Sequence, residues 1–270
     1  MIFTKMNGLG NDYIYIDERY EKINDPHDIA VRLSDRRFGV GGDGIVLLNE
    51  SKIADISMRI FNSDGTEAEI CGNALRCVGK YAIEHHLATG NKVSIETLIG
   101  VREVTVTKKN GVVTQASVAI ENIMSGLHDY PFCREIEVHN KVIVGYCVDV
   151  GNPHFVTFVQ DFSEEMILLG NKISRRDTFF TEGINVEFVK YREREKELIV
   201  RVVERGSGET FSCGTGAAAV TFVAHKLGLI DEKVDIKLRG GTFTCSFRNE
   251  NTIVVDGDVK ENFVGMIKME

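Results

Sequence analysis

The sequence predicts an α+β protein made of two homologous domains from internal duplication, each a sheet wrapped around a central helix. Three observations predict it. A Cys-Gly-polar motif occurs twice, in "EICGNALRCVGKYA" (Glu69–Ala82) and in "FSCGTGAAAVTFVA" (Phe211–Ala224), and each time it runs into helix-forming apolar text. Other segments repeat in the same order at nearly the same spacing, the mark of a duplicated unit. Between the helical stretches, apolar and polar residues alternate or β-branched and aromatic residues dominate, as in strands.

The repeat can be followed along the chain. Cys213 lies 142 residues after Cys71. "GNDYIYI" from Gly10 meets "GNPHFVTF" from Gly151 at an offset of 141. Arg36-Arg37 and Gly44-Ile45 meet Arg175-Arg176 and Gly183-Ile184 at 139. "KVSIETLIG" from Lys92 meets "KVDIKLRGG" from Lys233, and "NGVVTQASV" from Asn110 meets "NTIVVDGDV" from Asn251, both at 141. The copies span roughly 2–118 and 143–259, near ordinary domain size. The expected domains are 1–118, joined by the C-terminal tail 260–270, and 119–259.

Each element has its own signal. "DYIYID" reads as a strand. "DPHDIAVRLSDRR" reads as a helix, with Ile29 and Leu33 at helical spacing after the start signal Pro26. "GVGGDG" has no following Lys-Ser/Thr and reads as a turn rather than a phosphate loop. "GIVLLNE" and "DISMRIFN" are strands. "GNALRCVGKYAIEHHLAT" carries Leu75, Val78, Ala82 and Ile83 on one helical face. "VREVTVTKK" is again a strand. One long helix per copy amid strands gives the wrapped sheet, and two such domains facing one another create a cleft for the active site.

Composition narrows the function classes. A chain of 270 residues, 43% hydrophobic, can fill two cores. Its 40 acidic against 32 basic residues, net −8, disfavour nucleic acid as the main partner. No apolar run reaches the roughly 18 residues of a membrane span, and "MIFTKMNGLGNDY" lacks the basic-then-apolar pattern of a signal peptide. A cytoplasmic protein acting on a small molecule is expected. The six cysteines are too sparse for a disulfide scaffold. They form no C-x₂₋₄-C pair, so no metal site is expected.

The cysteines at the two helix starts carry the chemistry. The first N–H groups of a helix lack internal partners, and the dipole adds positive charge there. A thiolate is favoured at such a place, so its pKa is expected to fall, and a carboxylate ligand is welcome as well. Gly72 and Gly214 let the backbone approach that ligand. Two such starts around one molecule place a base on one face of a stereocentre and an acid on the other, as inversion requires. A lone cysteine before a helix is more often packing, but the duplicated setting favours chemistry. Cys77, Cys133, Cys147 and Cys245 lack that setting and read as structural.

The surroundings repeat too. Nine residues before each cysteine stand Asn62 and Glu204, in the matched loops "NSDGTEAEIC" and "ERGSGETFSC". Arg205 is a cation suited to gripping a carboxylate, although "ERGSGE" also reads as a solvated hairpin turn. Asn11 and Asn152 repeat at strand starts. His154, in the matched position, is a partner for a nearby thiol or an ordinary satisfied histidine.

On these residues the chain resembles the diaminopimelate epimerase family over essentially its whole length. "MNGLGNDYIYID" is similar to the family's opening, "FNSDGTEAEICGNALRCVGKY" and "ERGSGETFSCGTGAAA" to its two cysteine signatures, and "GNPHFV" and "GINVEFV" to its middle motifs. The resemblance implies an isomerase that interconverts LL- and meso-diaminopimelate without a cofactor, in lysine and peptidoglycan precursor biosynthesis. It implies Cys71 and Cys213 as the acid and base thiols, with His154 and Glu204 beside them. The α-carboxylate would sit on the backbone of Gly72, Asn73, Gly214 and Thr215, and the α-amino group on Glu204 and the Arg205 carbonyl, near Asn62. The distal end would meet Asn11, Asn62, Asn152, Asn185 and the Arg205 side chain. A homodimer is implied as well. Two departures stand out. Many relatives have glutamine where this chain has Gly44, and often cysteine where it has Ala218. Three rivals remain open at this point: a proline racemase or hydroxyproline epimerase, a redox protein with a Cys71–Cys213 disulfide, and a non-catalytic amino-acid-binding module.

Overall fold

A computed structural model describes residues 1–138, 140–176 and 178–268. The chain forms two compact units, Met1–Val118 with the segment from Gly257, and Ala119–Asp256. Met269 and Glu270, the end of the expected tail, lie outside the described residues.

In the first unit the elements run β1 (Ile2–Gly8), β2 (Asn11–Asp17), α1 (Pro26–Ser34), β3 (Gly44–Asn49), β4 (Ile56–Asn62), β5 (Glu67–Ala68), α2 (Gly72–Glu84), β6 (Lys92–Thr97), β7 (Gly100–Lys109) and β8 (Val112–Ile120). β1 and β2 pair antiparallel, β2 and β3 parallel, β3 and β4 antiparallel, β4 and β6 parallel, and β6, β7 and β8 antiparallel. A parallel pair needs a long crossover. Helices α1 and α2 supply the two crossovers. Asp25 starts α1 by accepting from the N–H groups of His27 and Asp28, both at 3.1 Å, with Pro26 in the first turn.

The period-2 alternation of the central strands divides their side chains between the two helices. Tyr13, Tyr15, Val46, Leu48, Met58 and Ile60 pack in one core with α2. Ile14, Ile16, Ile45, Leu47 and Phe61 pack in a second core with Ile29, Ala30 and Leu33 of α1. Helix α2 is buried from Asn73 to Ile83 without a break. A helix buried on all sides is a core element rather than a surface one, as the wrapped-sheet expectation requires.

The second unit repeats this plan in β9 (Met124–Ser125), β10 (Cys133–Val138), β11 (Lys141–Asp149), β12 (Pro153–Phe158), α3 (Glu164–Ile173), β13 (Asn185–Arg192), β14 (Glu197–Glu204), β15 (Gly208–Thr210), α4 (Gly214–Lys226), β16 (Lys233–Leu238), β17 (Gly241–Asn249) and β18 (Thr252–Asp258). From β11 onward the pairings copy those from β1: antiparallel, parallel across α3, antiparallel, parallel across α4, then two antiparallel steps. Helix α4 is buried from Gly216 to Ala224. Last, β19 (Lys260–Met266) returns to the first unit and pairs with β1.

Two details differ from the sequence reading. The second unit carries a helix for which the sequence reading names no segment: α3, with its Ser163 cap on the N–H of Met166, is the counterpart of α1. The strand registers also revise one repeat offset. Tyr13 lies opposite Gly44 and Gly44 opposite Asn62, while His154 lies opposite Asn185. Gly44 therefore corresponds to Asn185 at an offset of 141, and the matching "GI" text at 139 is two residues out of register.

Leu75 in α2 is fully buried. Leu75→Ala is expected to cost about 2–5 kcal/mol, read as a lower urea midpoint with an unchanged slope. A loss well under about 1 kcal/mol would contradict the central-helix packing.

Candidate active site

In the first unit Cys71 is the N-cap residue of α2, in extended backbone (φ −140°, ψ 117°). Gly72 and Asn73 form the first turn. The half-buried thiol donates to Oδ1 of Asn11 at 3.4 Å. Asn11 follows Gly10, whose φ of 87° favours glycine. Its amide is fixed from the other side, because Nδ2 donates to Oδ2 of Asp43 at 2.7 Å. The same Asp43 accepts from the backbone N–H of Asp12 at 3.0 Å and from Arg36 at 3.0 Å. Asp43 belongs to "GVGGDG", which is a turn as expected, and it fixes the Asn11 amide from a distance of 32 residues. Asn73 is buried and accepts from the Arg76 guanidinium. Asn62, at the end of β4, donates through Nδ2 to Oγ1 of Thr66 at 3.0 Å and closes the β4–β5 hairpin.

In the second unit Cys213 is the N-cap of α4, in matching backbone (φ −134°, ψ 115°). Gly214 and Thr215 open the helix. Here the sulfur caps the helix itself, accepting from the N–H of Gly216 at 3.3 Å, and it lies 3.3 Å from Oγ1 of Thr215. Asn152 follows Gly151 (φ 94°), as Asn11 follows Gly10. His154 and Asn185 are buried side by side, with Asn185 Nδ2 and Asn152 Oδ1 at 3.4 and 3.2 Å from His154 Nε2. Asn185 Oδ1 accepts from the backbone N–H of Arg205 at 2.8 Å. The β14–β15 hairpin holds Glu204 half-buried, accepting from Thr210, and leaves Arg205 exposed with its guanidinium on the Glu182 carbonyl at 2.9 Å. The hairpin reading of "ERGSGE" and its matched position to "NSDGTE" thus hold together.

One electrostatic expectation is overturned. The helix start was expected to lower the pKa of its cysteine, yet Cys213, only 7% exposed, is pushed well above the ordinary thiol range. Burial is the largest cause, followed by the negative charges of Glu204 and Glu187. The contacts with Thr215 and the Gly216 N–H act the other way and lose. At neutral pH Cys213 is a thiol. Glu187, absent from the sequence reading, sits in β13 with Oε1 2.6 Å from His154 Nδ1. Its signal was available: an acid in the middle of the strand text "INVEFV".

Gly44 settles one departure. A Cβ there would lie 2.1 Å from the Phe61 carbonyl oxygen and 2.8 Å from the Tyr13 ring. This backbone accepts no side chain at 44, so the glutamine of many relatives has no equivalent there. Cys77, Cys147 and Cys245 are buried, and burial pushes Cys77 and Cys147 up to about 12.

The fold is shared with solved structures over nearly the whole chain. Solved structures with it include a hydroxyproline epimerase from Agrobacterium vitis (TM-score 0.72, 15% identity, 98% of this chain and 91% of that one). Another is a methylitaconate Δ-isomerase (TM-score 0.67, 13% identity, 98% and 95%). At these identities the likeness shows fold alone. The diaminopimelate epimerase family model matches residues 3–120 and 146–261, one match in each copy. The diaminopimelate epimerase of Acetivibrio thermocellus is 40% identical over 100% of this chain and 99% of its own, and that of Methanococcus maripaludis strain C5 is 39% identical over 99% of each. The chain belongs to the diaminopimelate epimerase family, and it is an isomerase. Among the described residues no helix is long and apolar enough to cross a membrane.

Exposure and the raised Cys213 pKa predict an order of alkylation by iodoacetamide at pH 7. Exposed Cys133 and half-buried Cys71 should label first, with Cys213 about 10-fold slower or more, because the thiolate is the nucleophile. Peptide mapping over time checks this. Faster labelling at Cys213 than at Cys71 would contradict the burial and charge argument.

Proposed function

We propose that this chain interconverts LL- and meso-diaminopimelate by a two-base mechanism that uses no cofactor, as a step in lysine and peptidoglycan precursor biosynthesis. Family membership supports the substrate. The observation that carries the mechanism is the pair of cysteines at equivalent helix starts, in nearly identical backbone.

An amino-acid α-proton is weakly acidic, so the carbanion must be stabilised as it forms. The N–H groups at the starts of α2 and α4, from Gly72, Asn73, Gly214 and Thr215, are the donors suited to the α-carboxylate. One sulfur, as thiolate, takes the α-proton and becomes a thiol. The other, as thiol, gives its proton to the opposite face and becomes a thiolate. The C–H bond broken on one face is replaced by one formed on the other, and the configuration inverts. The two sulfurs exchange roles when the reaction runs in reverse. Glu204 and the Arg205 carbonyl are suited to the α-ammonium group, and His154 and Glu204 are assigned beside the two thiols. Asn11, Asn62, Asn152, Asn185 and the Arg205 side chain are assigned to the distal end. Gly44 adds no side chain there.

A cytoplasmic homodimer goes with this reading. Ile2 (66% exposed), Val264 (57%) and Met266 (77%) form an apolar stripe on one face of the β1–β19 ladder, where Ile2 lies opposite Met266. A second copy would cover it.

Cys71→Ala and Cys213→Ala should each lose about 10²–10⁴-fold or more in turnover of LL-diaminopimelate, with circular dichroism unchanged. Full turnover by either variant contradicts the two-base mechanism. Wild-type turnover of proline or hydroxyproline in place of diaminopimelate contradicts the substrate. Light scattering should give twice the 30.1 kDa chain mass, and Val264→Arg should halve it. A wild-type mass of one chain rejects the dimer.

A further inference from the structure

Strand β13 enters its unit as five consecutive buried residues, Asn185–Val189, and one of them is an acid. Glu187 is 0% exposed, as is His154. A buried carboxylate is costly unless its partners offset the lost hydration. Glu187 Oε1 has the His154 Nδ1 at 2.6 Å, while Oε2 has no hydrogen-bond partner among the described residues. The fold does not demand an acid at this place. Glu187 lies opposite Val156 in the β12–β13 ladder, and the residue at the equivalent step of the first unit, opposite Tyr15, is Val46. The charge is specific to the half that contains His154.

The two nitrogens of the ring have different surroundings. Nδ1 faces a carboxylate, which accepts only. Nε2 faces Asn152 Oδ1 at 3.2 Å, an acceptor, and Asn185 Nδ2 at 3.4 Å, a donor. The orientation of the Asn185 amide is set independently, because its Oδ1 accepts from the Arg205 N–H at 2.8 Å. A neutral ring with its proton on Nδ1 can accept at Nε2 from Asn185. A charged ring can donate from Nε2 to Asn152. Either state keeps partners at both nitrogens without a ring flip.

We infer that Glu187 is a positioning residue that holds the Nδ1 proton of His154 throughout, so that Nε2, between Asn152 and Asn185, is the one ring nitrogen that gains and loses a proton. The pair also reaches the thiol. A Cβ on Gly216 would lie 2.7 Å from Glu187 Oε1, and the Gly216 N–H is the group that bonds Cys213 Sγ. The carboxylate therefore packs directly under the first turn of α4, where only glycine leaves room for it. The consequence for turnover rests on the epimerase reading. The state of the ring does not.

Long-range ¹H–¹⁵N correlation spectra of His154, assigned with His154→Gln, test the lock without substrate. The wild type should show the Nδ1–H tautomer when neutral, and Glu187→Gln a mixed or Nε2–H pattern. With LL-diaminopimelate, Glu187→Gln should lower kcat about 10- to 100-fold with KM within about 2-fold. Adding Glu187→Gln to His154→Gln should slow that variant no further, because the acid acts through the ring. An Nε2–H tautomer in the wild type overturns the inference even if the variant fails to fold. So does an unchanged spectrum in Glu187→Gln, or a changed spectrum with unchanged kcat. A wild type that shows the lock but leaves diaminopimelate untouched rejects the epimerase reading and keeps the lock.

Discussion

The N–H groups that open a helix have no partner inside it, and here two of those openings belong to helices buried along most of their length. Everything else in each unit serves that placement. The sheet closes on the helix, the β4–β5 and β14–β15 hairpins lead into it, and a cysteine occupies the cap. An ordinary Ser or Asp cap would satisfy one donor and finish the helix. A cysteine in that place sets a thiol beside the opening N–H groups, and Cys213 itself caps one of them, the Gly216 N–H.

Built on one plan, the two halves are electrically different. Around Cys71 the hydrogen bonds run from the thiol through Asn11 to Asp43 and Arg36, and the thiol is half-buried. Around Cys213 the thiol is buried, caps its own helix, and faces Glu204 and Glu187. A nearly symmetric reaction is thus carried by unequal partners.

Much of this was legible in the text. The repeated Cys-Gly-polar motif located both helix starts, because capping is local and the residues that do it are adjacent. The Gly-Asn pairs located both strand starts for the same reason. Helix α3 is signalled by Ser163-Glu164-Glu165 and by the place of α1 in the other copy, but its short apolar pattern does not stand out from the strands around it. The Cys213 pKa is not legible locally, because the rule that a helix start favours thiolate is overridden by burial and then by carboxylates from β14 and β13, none of which is adjacent in sequence. Glu187 went unread because its partner is 33 residues away, and only the parallel β12–β13 register brings the two together. The "GI" match at Gly44 and Gly183 was identity without register, and the strand pairings moved Gly44 onto Asn185.

The central claim is that two thiols exchange the α-proton through opposite faces. Reduced protein incubated with LL-diaminopimelate in D₂O, followed by NMR, tests it most directly. The account predicts deuterium at one α-carbon only, entering with inversion, so that the first meso product formed carries deuterium while the recovered LL substrate remains protium at early times. Meso product that retains its α-protium, or deuterium washed into LL substrate as fast as meso appears, would mean that a single group removes and returns the proton, and the two-thiol account would be wrong.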